Sequence, residues 1–165
     1  MITHFPKEQY IVELGSNGSA AMGNFKVANN EYLGYMGAFV YITNAASLVG
    51  TEKVKIGIYP DGLYQTPIFE SKEHVLKTSI LNLNELTAGK PHWLGFIYVE
   101  FNKETLSREL TYYARFDTSG YTKSGDLSIG VAYDSPVQPI YYIDISSGAD
   151  YTKAPLAMSL LSYTL

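Results

Sequence analysis

The chain has 165 residues, of which 46% are hydrophobic and 17% charged, with a net charge of -4 and no cysteine. This describes a folded chain with one substantial core, a single domain over residues 1–165, and excludes disorder. Scattered lysines and arginines exclude a phosphate-tracking surface, so neither nucleic acid nor an anionic membrane is an expected partner, and the missing cysteines remove disulfides, thiolate catalysis and zinc–thiolate sites.

The N-terminus, MITHFP, carries no basic n-region and no apolar h-region. No signal peptide is therefore expected. Apolar stretches such as Trp93 to Val99 are too short to span a bilayer. The expectation is a complete soluble product made in the cytosol.

Residues 15–24 (GSNGSAAMGN) are small and read as a loop or a weak edge strand. Strand signals recur at 8–14, 32–43, 53–59, 66–70, 74–83, 92–101, 109–117, 126–133, 138–145 and 156–164. Turn chemistry separates them. Tyr59-Pro60-Asp61-Gly62 presets φ with proline and permits positive φ with glycine. The runs 87–91, 117–120, 123–126, 134–136 and 146–150 are further turns. Helical signals are confined to single turns near Ser71–Leu76 and Leu83–Leu86. About ten short strands with polar turns predict an all-β fold, a two-sheet antiparallel sandwich of jelly-roll type, with an up-and-down barrel as the alternative.

Fifteen tyrosines fall largely in these segments. Side chains at i and i+2 share a face of a strand. In 32–43, Met36, Ala38, Val40 and Ile42 form an aliphatic core face, while Tyr35, Phe39 and Tyr41 form an aromatic one. In 92–101, Trp93, Ile97, Val99 and Phe101 oppose Leu94, Phe96 and Tyr98. In 109–117, Leu110, Tyr112, Ala114 and Phe116 point inward, and Thr111, Tyr113, Arg115 and Asp117 outward. Trp93, which opens an apolar strand, reads as core. Tyrosine suits surfaces buried in one assembly state and wet in another, and it also stacks on sugars. The candidate interface or ligand-stacking residues are thus Tyr35, Phe39, Tyr41 and Tyr113, with the loop tyrosines Tyr64 and Tyr121.

Catalytic patterns are weak. His4, His74 and His92 have neither nucleophile-elbow nor metal-ligand spacing. Glu100, Asp117, Asp134 and Asp144 are the carboxylates on or at the ends of strands that a glycosidase pair would need, but turn and strand-end chemistry is the favoured reading of them. Asp117, Asp126, Asp134 and Asp150 lie in segments that could converge on calcium, without an EF-hand or glycine-aspartate repeat. No enzyme activity and no cofactor or metal is expected.

The runs VKIGIYPDG, TPIFES, LNLNELTAGKPHWLGFIYVEF, LSRELTYYARFDT, DLSIGVAYDSP and PIYY, from Val54 to Ile143, have a recognisable cadence. It resembles the jelly-roll, carbohydrate-binding-module-like domains of bacteriophage tail, fibre and head-decoration proteins. The positions that carry it are Tyr59, Trp93 with Phe96, and Tyr112 with Tyr113, across about half the chain. The resemblance implies a virion protein, synthesised in the host cytoplasm, that forms a homo-oligomer, a trimer by preference, and contacts other virion proteins. The alternative it implies is a carbohydrate-binding module that holds a host glycan through surface tyrosines.

Overall fold

The computed structural model describes residues 2–3, 10–27, 29–60, 66–80, 93–133, 140–144, 149–153 and 158–164, and for some strand residues the backbone path alone. Its strands are β1 (Ile2–Thr3), β2 (Tyr10–Glu13), β3 (Ser19–Phe25), β4 (Glu31–Ile42), β5 (Lys53–Tyr59), β6 (Phe69–Glu70), β7 (His74–Val75), β8 (Trp93–Leu106), β9 (Tyr112–Ser119), β10 (Ile129–Tyr133), β11 (Ile140–Asp144), β12 (Ala149–Lys153) and β13 (Met158–Thr164). A single helical turn, α1 (Leu76–Ser79), follows β7. Among the described residues, no helix is long and apolar enough to cross a membrane.

Among the described residues, every ladder is antiparallel. The first sheet runs β2-β10-β4-β8, with β13 on the same edge of β4 as β10, and β1 outside β13. The second runs β12-β11-β3-β9-β5, and β6 and β7 share the far edge of β5. Count β6 and β7 as one broken strand, and follow the chain from β2 to β10. The first, eighth, third and sixth strands then lie side by side in one sheet. The second, seventh, fourth and fifth lie side by side in the other. This is the order of a jelly roll, an all-β sandwich. β11, β12 and β13 add to it beyond β10.

Alternation explains the core. Met36, Ala38, Val40 and Ile42 of β4 are fully buried, as are Ile97 and Val99 of β8. They face Val54, Ile56 and Ile58 of β5 and Tyr112, Ala114 and Phe116 of β9. Each large aliphatic or aromatic side chain so buried contributes about 1.5–3 kcal/mol. The ring of Phe25 stacks on Tyr112 with centroids 5.7 Å apart.

Several expectations need correction. The small-residue segment 15–24 holds a turn and then β3, an interior strand flanked by β9 and β11. Its ladder with β9 holds it in place, where propensity alone is weak. Leu33, to which the sequence alone assigns no face, lies two residues before Tyr35 and is buried with the core because the register of β4 slips between Leu33 and Tyr35 on both of its edges. Such a bulge turns the strand by one position. The segment 74–83 is not one strand: β7 gives way to α1 after two residues. Leu110 precedes β9 and is largely exposed, and Ala149-Asp150, read as a turn, opens β12.

Candidate functional site

The two outer faces differ in chemistry. On the second sheet, Lys53 pairs with Glu73 at 3.1 Å, Lys55 with Glu70 at 3.1 Å and Arg115 with Asp117 at 2.8 Å. The two lysine pairs are solvated, and each contributes about 0–1 kcal/mol. The Arg115–Asp117 pair is more enclosed, and the Ser19 hydroxyl donates to the same carboxylate. Gly57 sits opposite Arg115 in the ladder. A β-carbon on Gly57 would lie 3.0 Å from the Tyr59 ring, and the Arg115 guanidinium stands 4.9 Å from that ring's centre. Backbone, ring and guanidinium therefore form three layers, a cation–π arrangement. Burial, the largest cause, pushes the Tyr59 phenol up to about 12; Arg115 opposes this, and Asp117 and Glu70 add to it.

Among the described residues, the outer face of the first sheet carries tyrosines, with ion pairs at Glu100 of β8 and Glu13 of β2. Tyr35 of β4 is 36% exposed and lies opposite Glu100 of β8. Tyr98 lies opposite Gly37 and is half-buried. Further along, Phe39 is in register with Phe96 and Tyr41 with Leu94. The side chain of Phe39 is outside the described residues. Tyr41 is only 3% exposed. Burial and then the Glu13 carboxylate raise its phenol above the ordinary range.

The remaining candidates scatter. Tyr113 is half-buried at the start of β9, opposite Tyr59, and packs against the core. Tyr64 lies outside the described residues. Tyr121, expected on a loop surface, is fully buried. Its hydroxyl accepts from Ile129 N at 2.9 Å and donates to Leu14 O at 3.3 Å, while its backbone N–H donates to the Asn17 side chain at 3.0 Å. It pins two loops together and presents no ring to a ligand. Among the described residues, Tyr35 and Tyr98 keep part of a ring at the face of the first sheet, as does Tyr32, which sits opposite the exposed Thr105.

The acidic candidates are engaged structurally. Glu100 pairs with Lys72 at 2.8 Å, and Asp117 with Arg115. Asp126 is exposed in the loop before β10. The side chains of Asp144 and Asp150 are not described, and Asp134, His4 and His92 lie outside the described residues. Among the described residues, no group of three or more His, Asp or Glu could hold a metal ion.

A shallow open depression of about 460 Å³ lies between the loops before β5 and after β9, lined by Thr51, Glu52, Thr122, Ser124 and Asp126 among others. Its polar groups hold the loops themselves. The buried Glu52 carboxylate accepts from Val49 N and Gly50 N, the nearest at 3.0 Å. Thr51 donates to Gly120 O at 3.2 Å, and Ser124 Oγ accepts from Leu127 N at 3.0 Å. Residues missed by sequence reasoning are of this kind: Glu52 and Asn17 bond to loop backbone, a role that no local pattern signals, and Tyr121, named as a surface ring, has the same buried role instead.

The chain matches no protein-family model, no curated protein and no solved structure.

Proposed function

We propose that this chain is a non-catalytic structural protein that works by self-association, a trimer being the expected state, and by contacts with other subunits, as a tail, fibre or head-decoration component of a phage or virus particle. The observation that carries the reading is the contrast between the two outer faces. The second sheet shows water the Lys53–Glu73 and Lys55–Glu70 pairs, whereas the first keeps Tyr35 36% exposed beside a half-buried Tyr98, with the Lys72–Glu100 and Lys123–Glu13 pairs on its edge strands β8 and β2. Interfaces enrich aromatic residues at their cores and place charges at their rims. The jelly-roll order adds support, since that architecture serves in capsids as well as in lectins.

The glycan-binding alternative loses two of its rings, because Tyr41 and Tyr121 are buried. Molar mass by light scattering across a dilution series tests the choice, with Tyr35→Asp as the variant. A concentration-dependent oligomer that Tyr35→Asp dissociates supports the assembly role. A wild-type chain that stays monomeric at every concentration overturns it.

A further inference from the structure

Register partners in an antiparallel ladder project to the same face. His74 of β7 is paired with Val54 of β5, whose side chain is buried in the core. His74 therefore projects from the second sheet toward the first, and it is half-buried. There its Nε2 accepts a hydrogen bond from the backbone N–H of Glu100 on β8, at 3.1 Å. Two more links meet at Glu100. Lys72 N donates to Glu100 O at 2.7 Å, and Lys72 Nζ stands 2.8 Å from Glu100 Oε2. The strap from Ser71 to Leu76 is thus tied to β8 through one residue. On its other side it is bound to β5: Ser71 N donates to Ile56 O at 2.9 Å and Ile56 N to Ser71 Oγ at 2.9 Å.

The acceptor role dictates the state of the imidazole. A ring nitrogen that accepts carries no proton, so His74 is neutral with its proton on Nδ1. A second proton would set a donor against the Glu100 N–H.

We propose that His74 is a pH-sensitive latch between the two sheets, pinning its part of the Ser71–Leu76 strap to the Glu100 N–H of β8 while neutral and letting that N–H go when protonated.

The charges around the ring act in both directions. Burial, the largest influence, holds the His74 pKa below its ordinary value; the Glu100 carboxylate on β8 opposes this, and the Lys72 ammonium on the strap reinforces it. β5 presents Val54 at the facing position, and its Lys53 is engaged with Glu73 of the strap. The unfolded ring thus protonates before the folded one as pH falls. The stability that the latch contributes is whole above about pH 6.5 and is lost as pH drops through the lower folded value. Release stays local because Leu76 is fully buried and its N–H donates to Glu52 O at 2.8 Å, which anchors the strap beyond the latch. With the latch open, the Glu100 N–H loses its acceptor on the edge of β8 while Lys72 still holds Glu100 O and the carboxylate; a freed edge N–H is the kind of group with which another strand pairs.

The test is amide hydrogen exchange at Glu100, read by NMR together with the His74 imidazole nitrogen shifts, on the full chain and on His74→Gln. Glutamine offers an oxygen acceptor that does not titrate. For the native chain, the Glu100 protection factor is expected to fall about three- to tenfold, as the loss of one hydrogen bond implies, in step with the imidazole titration. In His74→Gln it is expected to stay constant. A native imidazole that titrates with no change in Glu100 protection overturns the latch, as does a His74→Gln chain showing the same fall. Should the variant fail to fold, the two native curves decide by coinciding or not.

Discussion

Gly120 presses its backbone against Thr51: a β-carbon at Gly120 would lie 2.1 Å from the Thr51 carbonyl oxygen. Its φ of 61° lies in the left-handed region as well. Gly50 shares only the second constraint, with φ at 97° and nothing within 4 Å of a β-carbon, and Gly125 has neither. Alanine at these sites should therefore rank in cost. Gly125→Ala is expected to be neutral or stabilising by up to about 1 kcal/mol. Gly50→Ala should cost about 1 kcal/mol from backbone strain, and Gly120→Ala about 2–3 kcal/mol or more. Urea midpoints of the three variants check the order; equal midpoints for Gly50→Ala and Gly120→Ala would remove the Thr51 contact from the account.

Tyr121→Phe deletes one oxygen that both accepts from Ile129 N and donates to Leu14 O in a buried setting. Leaving those groups unmatched is expected to cost about 1–3 kcal/mol. Tyr35→Phe, at an exposed ring, should stay within about 0.5 kcal/mol. Denaturant unfolding of both variants separates a structural tyrosine from a surface one.

Glu52→Ala removes the carboxylate that gathers Val49 N and Gly50 N. Hydrogen bonds to a charged group contribute about 1.5–3 kcal/mol, so a loss in that range is expected. The damage should be concentrated in the loop before β5. Exchange rates of the Val49 and Gly50 amides report it directly, and unchanged rates would mean that other contacts hold the loop.

The Tyr59 phenol, at about 12, stays protonated in the folded chain where an unfolded tyrosine has begun to ionise near 10. Between those values the folded state binds more protons. Stability is therefore full below about pH 10 and falls as pH rises toward the folded value. Tyr59→Phe should flatten part of that alkaline slope. Unfolding free energies measured from pH 8.5 to 11 test it, and an identical slope in the variant would assign the effect to other groups.

Where side chains alternate without interruption, the strands were readable from the chain: β5 coincides with 53–59, and β4 with 32–43 to within a residue. Tyr112, Ala114 and Phe116 point inward for the same reason. The failures have physical causes too. Leu33, given no face in advance, turns inward through a register slip that period-two reasoning does not contain. β3 is built of small residues and takes its place from β9. Tyr121 reads as a loop residue because the atoms it binds, in Leu14 and Ile129, are brought to it by the fold. The exposed ring of Tyr35 was foreseeable, and the burial of Tyr41 was not, since alternation assigns a face and is silent on what covers it.

One edge of β4 is divided between two strands, β13 along Glu31–Ala38 and β10 along Val40–Ile42. Both partners are made long after β4 itself, and β13 begins only at Met158. During synthesis the longer part of that edge has no mate while more than a hundred further residues are polymerised. Topologies with such distant pairings fold slowly, and their open edges are prone to aggregate meanwhile. Expression yield should therefore depend on holding the nascent chain soluble until residues 158–164 emerge from the ribosome, and premature termination before them should produce insoluble material.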